Sequence, residues 1–305
     1  MWCAGLATIP PVAVAWIIAA LGLARPAPTL AIAYAIGVGI AAWSTWWRPL
    51  RLHTKVIEVE VEALPAAFDG YRIVQLSDLH VGALWPPALL ARLVDRVNAL
   101  DADAVALTGD YVTSGTRFHE VTAAGLARLR ARDGVFAVLG NHDNFGGCEP
   151  LRSKLLEGGV ILLQNASRTI ERAGAALTVV GVDDVFTRRA NVERSFEGVD
   201  TARASLVLAH DPKQFHAIAR KGPCLVLSGH THWGQVGVPF VAQRYNIATR
   251  FFRFSAGLYR EGAAAIYVHP GVGATGVPVR FGVPPEVTVL VLRQAEMAPS
   301  ARNRS

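Results

Sequence analysis

The sequence predicts an α/β domain that is preceded by a two-helix transmembrane hairpin. Three observations lead to this prediction. The first 57 positions are strongly apolar and contain no Asp or Glu, so all 24 acidic residues lie beyond them. The remainder alternates short apolar strands with helical periodicity, and several strands end in Asp, Asn or His. The length of 305 residues suffices for one large domain with an appendage.

The hairpin prediction rests on two almost wholly apolar segments, residues 2–24 and 29–47, which Arg25-Pro26-Ala27-Pro28 separates. About 20 helical residues cross the hydrocarbon core of a bilayer, and both segments reach that length. The alternative for the first segment is a cleaved signal peptide. A hairpin fits better because the first segment lacks a basic beginning and a second apolar segment follows at once. We therefore expect residues 1–50 to form the hairpin.

The basic residues around the second apolar segment predict the orientation. Arg48, Arg51 and Lys55 follow this segment, whereas the turn between the segments carries Arg25. The positive-inside rule then places the domain of residues 51–293 on the cytoplasmic side, with the lipid bilayer as a partner. Residues 294–305 are expected to form a disordered tail.

The charge and the cysteines exclude some classes of function. The net charge of +6 comes from scattered basic residues rather than a Lys/Arg run, so nucleic acid is not expected as a partner. The three cysteines have no paired spacing, which argues against a disulfide framework and against a zinc knuckle.

The strands and helices of the domain alternate in the order typical of α/β proteins. Apolar or alternating segments predict strands at 55–64, 71–78, 103–110, 134–143, 160–163, 168–172, 176–182, 204–212, 223–232, 255–260, 263–269 and 286–293. Helical periodicity predicts helices at 86–100, 119–131, 150–157 and 213–220.

Five of these strands end in side chains that can bind metals or transfer protons. In open α/β sheets, ligands bind beyond the carboxyl ends of the strands, so these side chains are expected to share one crevice. They are Asp78, His80, Asp110, Asn141, His142, Asp143, His210, His230 and His232. Residues two apart in extended chain project to the same side, so Asp78 and His80, like His230 and His232, should each aim at one place.

The donor types indicate a divalent metal site. Imidazole, carboxylate and one amide, with no thiolate, favour manganese, iron or zinc. One tetrahedral site does not need so many donors. They suit two metal ions that share a carboxylate and lie about 3.5–4 Å apart, as in enzymes that catalyse in-line displacement at phosphorus. Each motif alone also has a structural explanation: Asp-x-His is common by chance, Asn-His-Asp is compatible with a turn or a helix cap, and Gly-His-Thr-His with a loop. Their succession after five apolar strands favours the shared metal site.

The ordered motifs Asp-x-His, Gly-Asp, Gly-Asn-His-Asp, His and Gly-His-Thr-His resemble those of the calcineurin-like metallophosphoesterases, over about residues 55–293. The segments LSDLHVG, LTGDYV, VLGNHD, LAHDP, SGHTHWGQ and GVPVRFGVPPEVTVLVL are similar to the membrane-associated bacterial phosphodiesterase branch that includes YaeI and YkuE. Membrane-bound UDP-2,3-diacylglucosamine pyrophosphatases also resemble this chain. The resemblance implies a four-layer αββα sandwich and, with the hairpin, a multi-pass protein of the bacterial inner membrane.

The resemblance also implies roles for the site residues. One metal ion would be held by Asp78, His80 and His232, the other by Asn141, His210 and His230, and Asp110 would bridge them. Manganese is the favoured metal. His142 would protonate the leaving oxygen or stabilise the phosphoryl group, and Asp143 would orient His142. A hydroxide activated by the metals would attack phosphorus.

The predicted function is therefore a metal-dependent phosphoric ester hydrolase that acts on phosphodiester or pyrophosphate bonds. The hairpin favours a lipid or a lipid-linked nucleotide of the UDP-2,3-diacylglucosamine type as substrate. A soluble nucleotide or nucleic-acid substrate remains an alternative, as does a non-catalytic metal-binding membrane scaffold. The presence of Asp110 and His142 argues against the scaffold, which would be expected to lose one of them.

Three further features bear on the site, and the first of them departs from the family pattern. Relatives usually carry glycine where this chain has Trp233, whose indole would narrow the site or contact an apolar substrate. Residues 238–254 combine aromatic side chains with Arg244, Arg250 and Arg253, and form either a cover of the core or a flap that faces the bilayer. His269 is the one remaining histidine expected near the metals.

Overall fold

The described part of the chain begins within the first apolar segment. In the computed structural model, residues 12–13 and 15–20 are helical, and helix α1 spans Pro26–Ala42. None of the described helices has both the length and the hydropathy of a membrane span. Most of the first apolar segment and the predicted tail lie outside the described residues, which are 12–13, 15–22, 25–43, 51–82, 85, 87–276 and 279–295.

Two six-stranded mixed sheets form the centre of the domain. The first has the order β1-β12-β2-β3-β4-β5 and the second β10-β11-β9-β8-β7-β6. The strands of the first sheet are β1 (His53–Val61), β2 (Arg72–Leu76), β3 (Ala104–Leu107), β4 (Val135–Ala137), β5 (Ile161–Leu162) and β12 (Glu286–Gln294). Those of the second are β6 (Ala166–Arg172), β7 (Ala175–Val182), β8 (Ser205–Ala209), β9 (Cys224–Ser228), β10 (Gly257–Glu261) and β11 (Ala264–Val268).

Helices cover the outer face of each sheet. Helices α2 (Pro87–Asn98), α3 (His119–Leu126) and α4 (Glu149–Glu157) follow strands of the first sheet, and α5 (Val192–Ser195) and α6 (Phe215–Ala219) follow strands of the second. The predicted strands and helices of residues 55–293 are thus confirmed. Several strands are shorter than their apolar runs because the polar residues at their ends leave the sheet and enter the loops of the site.

The domain has three apolar layers, one between the sheets and one between each sheet and its helices, so neighbouring residues of a central strand are both buried. Ile73 and Leu206 face the layer between the two sheets, whereas Val74 packs under α2–α4 and Val207 under α5 and α6. Because side chains alternate along a strand, each central strand serves two cores at once. The four-layer αββα arrangement implied by the resemblance is confirmed.

A buried carboxylate ties the two sheets together at the end of the strands away from the predicted site. Asp103, which precedes β3, accepts hydrogen bonds from the backbone N–H of Arg72 (2.8 Å) and from Arg172 of β6 (2.9 Å). Arg132 contacts the same carboxylate at 3.3 Å. Burial alone would raise the pKa of Asp103, but the Arg72 amide and the Arg172 guanidinium lower it below its usual value.

Asp103→Asn is expected to cost about 2 kcal/mol of unfolding free energy at pH 7, because charged hydrogen bonds contribute about that much. The folded-state pKa is lowered, so this stabilisation is present above the unfolded-state pKa and is lost as the pH falls through the folded-state value. Urea unfolding at pH 7 and pH 3 measures the difference. The exposed Asp95, which pairs with Arg128 away from this network, provides the control variant Asp95→Asn. A difference between Asp103→Asn and the unmodified protein that does not shrink as the pH falls would contradict this explanation.

Candidate metal centre

Loops from both sheets meet at one edge of the sandwich. They follow β2, β3 and β4 of the first sheet and β8 and β9 of the second. All five strands lie parallel to a neighbour within their sheets, so their carboxyl ends deliver the loops to a common edge. The polar side chains predicted at these ends are brought together there.

Asp78, His80 and His232 form the first group of donors. The Nε2 atoms of His80 and His232 lie 3.0 Å apart, and His232 Nε2 lies 3.3 Å from Asp78 Oδ1. All three side chains are almost completely buried. Their donor atoms lie close enough together to hold one ion.

Asp110, His210 and His230 form the second group. His210 Nε2 lies 3.2 Å from Asp110 Oδ2 and 3.3 Å from His230 Nδ1. The amide oxygen of Asn141 lies 3.0 Å from His230 Nδ1 and adds a fourth donor. Asp110 Oδ2 also lies 3.7 Å from His80 Nε2, so this carboxylate stands between the two groups.

The backbone at these residues is not extended. Asp78, His80, Asp110, His230 and His232 all have φ between 46° and 68°, in the left-handed region. Backbone strain of this kind costs about 1–3 kcal/mol for each non-glycine residue, and such residues cluster at functional sites. The expectation of extended pairs was therefore wrong: tight left-handed turns aim these side chains, and His230 and His232 point to different donor groups.

Two glycines allow the loops to approach this closely. A Cβ atom on Gly229 would overlap the side chains of Ser77 and Asp78. A Cβ atom on Gly140 would overlap Asp110. These positions accept no larger residue without displacing a carboxylate of the donor groups.

The buried carboxylates require compensating positive charge. Burial alone would raise the pKa of Asp110, but His210 and His80 lower it to about 2. Burial alone would lower the pKa of His210, but Asp110 opposes this and raises it to about 10. Burial and His232 lower the pKa of His80 to about 3. Either a proton on His210 or a bound cation can supply the charge that the carboxylates need.

His142 lies at the edge of the donor groups. Its ring is half-buried and is near enough to His80 and Asp110 to share a small ligand with them. The Nδ1 atom lies 2.6 Å from the carbonyl oxygen of Thr113, which acts as the acceptor for an Nδ1–H donor. That bond fixes the tautomer and leaves Nε2 available for proton transfer.

Asp143 does not orient the His142 ring, which corrects the role implied by the resemblance. Its carboxylate is fully buried and accepts four backbone N–H bonds of 2.7 to 3.2 Å, from Asp110, Tyr111, Val112 and Gly140. It therefore holds the loops after β3 and β4 against each other. The imidazole partner is the Thr113 carbonyl, since a carboxylate occupied by four amides has no lone pair directed at the ring.

Several groups that position the metal-ligating side chains were not predicted from the sequence. The carbonyl oxygen of Thr108 lies 2.7 Å from His210 Nδ1 and orients that ring. Arg280 is completely buried, donates to the carbonyls of Pro270 and Gly273, and lies 3.4 Å from His232 Nδ1. Backbone carbonyls leave no signal in the sequence. Arg280 does leave one, because it is the only charged residue but one in the apolar segment GVPVRFGVPPEVTVLVL.

His269 and Trp233 occupy buried positions next to the site. His269 Nδ1 accepts a hydrogen bond from the Gly271 N–H, in the loop that Arg280 holds. The indole of Trp233 donates to the Val268 carbonyl and packs with Ala242, Ala256 and Val283. Trp233 therefore belongs to a small core rather than to the wall of the site.

Comparison with known proteins agrees with the geometry. A sequence model of the family described as calcineurin-like phosphoesterase matches residues 71–234, which include every donor described above. The chain belongs to this family. It is a metal-dependent phosphoester hydrolase, and its cluster of His and Asp side chains suits divalent metal ions.

Three relatives indicate how far the likeness extends. This phosphoesterase is 28% identical to the metallophosphoesterase YkuE of Bacillus subtilis (strain 168), over 82% of this chain and 89% of YkuE. It is 32% identical to YkoQ of the same organism, over 74% of this chain and 85% of YkoQ. It is 34% identical to a Danio rerio transmembrane protein with a metallophosphoesterase domain, over 79% of this chain but only 58% of that protein.

Metal binding to this phosphoesterase is expected to release protons. At pH 7, below the pKa of about 10 for His210, its imidazole carries a proton that a metal ion must displace. We expect release of at least about one proton per chain, measured by titrating Mn²⁺ calorimetrically into EDTA-treated protein in buffers of different ionisation enthalpy. His216→Gln, a change at an exposed histidine, should leave the release unchanged. Heats that do not depend on the buffer would contradict the prediction.

Proposed function

We propose that this protein is a membrane-anchored dimetal phosphoesterase that cleaves phosphodiester or pyrophosphate bonds. The observation that supports the proposal is the position of Asp110, which belongs to the second donor group and lies 3.7 Å from His80 Nε2 of the first. One buried carboxylate between two sets of imidazoles suits two cations held close together, the arrangement that stabilises in-line displacement at phosphorus.

The residues divide between the two ions according to their contacts. Asp78, His80 and His232 would hold one ion, because their donor atoms converge within hydrogen-bond distance. Asn141, His210 and His230 would hold the other. Asp110 would bridge the ions. Bound there, two divalent metals, with manganese favoured, would acidify water and neutralise phosphoryl oxygens.

His142 would serve as the proton donor to the leaving oxygen. The Thr113 carbonyl holds its Nδ1–H, so Nε2 is the atom that holds and releases the transferred proton. The backbone N–H of His142 donates to Asp110 Oδ1 at 2.8 Å, which fixes the ring beside the donor groups. Proton transfer by a positioned imidazole contributes about 10²- to 10⁴-fold to rates of this kind.

A lipid or lipid-linked nucleotide is the substrate class that we favour. The chain begins with two apolar segments, and α1 exposes large apolar side chains such as Ile32, Tyr34 and Ile36. The Danio rerio relative is itself named as a transmembrane protein. A domain tethered at the bilayer meets membrane-borne phosphates at high local concentration. Orientation towards the cytoplasm follows from the basic residues after the second segment.

Hydrolysis assays with the full-length protein in detergent test the proposal. The panel contains an aryl phosphodiester, an aryl phosphomonoester, nucleotide pyrophosphates and lipid-linked pyrophosphates, each with Mn²⁺, Fe²⁺ or Zn²⁺ and with Asp110→Asn as the blank. We expect EDTA-sensitive cleavage of diesters or pyrophosphates, and faster turnover of the lipid-linked compounds. A preference for soluble nucleotides would overturn the lipid assignment alone. Two bound ions without hydrolysis of any compound would identify a metal-binding scaffold instead.

A further inference from the structure

A patch of exposed apolar side chains lies next to the metal centre. We define the apolar patch as the exposed side chains of residues 236–251 together with Phe281. Seven of the twelve large apolar side chains exposed beyond residue 50, within the described part, lie in this 16-residue segment. They are Val236, Val238, Phe240, Val241, Tyr245, Ile247 and Phe251. Phe240 is fully exposed, which is unusual for a large aromatic side chain in water.

The apolar patch is continuous with helix α1. The ring of Trp43, at the end of α1, packs edge-on against Phe281 with 6.5 Å between centroids. Phe281 lines a groove of about 530 Å³ with Val238, Tyr245 and Ile247 of the patch. Helix α1 exposes apolar side chains of its own, among them Ile36 at 52%. One surface therefore runs from the helix onto the catalytic domain, and exposed apolar side chains grouped in this way mark an interaction site.

The segment that forms the patch carries basic but no acidic side chains. The sequence contains no Asp or Glu between Asp211 and Glu261, whereas Arg244, Arg250 and Arg253 lie within or beside the patch. Arg253 pairs with Glu261 at 2.6 Å, and the Arg244 guanidinium lies over the Tyr245 ring. Aromatic side chains with neighbouring arginines match the boundary between acyl chains and anionic head groups.

The residue that follows this segment, Phe252, reaches the metal centre. The ring of Phe252 packs edge-on against His230 with 5.5 Å between centroids, and the Lys213 ammonium lies 4.9 Å from the Phe252 ring. A cavity of about 660 Å³ opens between Phe252, Arg244 and Phe240. Phe252 thus joins the apolar patch to a donor residue of the site.

We propose that the apolar patch docks on the lipid bilayer and holds the metal centre at the level of anionic lipid head groups. The proposal rests on the membrane-anchored enzyme proposed above and adds a second membrane contact within the catalytic domain itself. Continuity with α1 and the basic side chains of the segment favour the bilayer over a protein partner. A phosphate ester carried by a lipid would reach the site along the face that Phe240 and Phe252 line.

Depth-dependent fluorescence quenching tests the docking directly. The full-length protein, with Cys3→Ser to remove the cysteine of the apolar segment, receives a bimane label at Phe240→Cys in vesicles of phosphatidylcholine and phosphatidylglycerol. Ile36→Cys reports on α1. Leu156→Cys is the control, because α4 packs against α3 and β5 and not against the patch. Quenching by lipids with spin labels near the head group should be about twofold at positions 36 and 240 and absent at 156, as for side chains buried at the interface.

Each outcome decides one part of the proposal. Quenching at position 240 supports the docking surface, and its absence overturns the surface even if position 36 is quenched. Quenching at 240 without quenching at 36 overturns the helical anchor and keeps the surface. Loss of quenching at 240 together with crosslinks between two chains would identify a dimer contact instead.

The arginines allow a test by activity. Replacing Arg244, Arg250 and Arg253 by glutamine should slow hydrolysis of a long-chain alkyl aryl phosphodiester in anionic vesicles by about 100-fold, since each basic residue near such a surface contributes about fivefold. Hydrolysis of a soluble bis-aryl phosphodiester should stay within about twofold, because none of the three lies in the donor groups. The exposed pair Arg128→Gln and Arg130→Gln is the matched control. Equal loss on both substrates would overturn the docking surface without affecting the assignment of the metal centre.

Discussion

Asp110→Asn is expected to reduce phosphodiester hydrolysis by at least about 10³-fold, because it removes charge stabilisation from both donor groups. Asp110 Oδ2 lies 3.2 Å from His210 Nε2 of one group and 3.7 Å from His80 Nε2 of the other. The variant should also retain fewer than two metal ions per chain. Turnover of a bis-aryl phosphodiester and metal content by mass spectrometry measure the two effects.

Asp95→Asn provides the control for this change, since Asp95 is an exposed carboxylate on α2. Thermal unfolding of both variants separates loss of chemistry from loss of fold. Full activity of Asp110→Asn with two bound ions would show that the carboxylate does not bridge the metals.

His142→Asn is expected to slow hydrolysis by about 10²- to 10⁴-fold through loss of proton transfer. Metal content should stay unchanged, because the ring is assigned to the leaving oxygen and not to either ion. The loss should be smaller for an aryl leaving group, which needs little protonation, than for an alkyl one. Rates for one aryl and one alkyl phosphodiester, together with metal content, check the prediction.

The matched control for His142→Asn is His216→Asn, at an exposed histidine that pairs with Glu261. His142 lies close enough to His80 and Asp110 to act as a ligand, so metal content decides the matter. Loss of an ion from His142→Asn, with no loss from the control, would make His142 a ligand rather than the proton donor.

The secondary structure was predictable because the apolar strands carry a strong local pattern. Ile73 and Val74 face two different cores, and only a strand buried on both sides needs such continuous apolar runs. The pairing of β1 with β12 had no local signal. His53 pairs with Glu286, although almost the whole sequence of the domain lies between them. The register of such distant strands depends on packing that no short segment encodes.

The identity of the site residues was predictable from the ends of the strands, but their geometry was not. Left-handed turns at Asp78 and His232 replace the expected extended pairs, because the loops must close sharply around a shared centre. Asp143 was misassigned because its four partners are backbone N–H groups, which look the same in every sequence. Trp233 was expected to narrow the site or contact an apolar substrate, yet its indole N–H donates to the Val268 carbonyl inside a small core.

Anomalous diffraction from crystals of the manganese-loaded protein locates the bound ions. We expect two peaks about 3.5–4 Å apart, with Asp110 in contact with both. One peak should lie among Asp78, His80 and His232, and the other among Asn141, His210 and His230. A single peak, or two peaks of which Asp110 touches only one, would contradict the dimetal proposal.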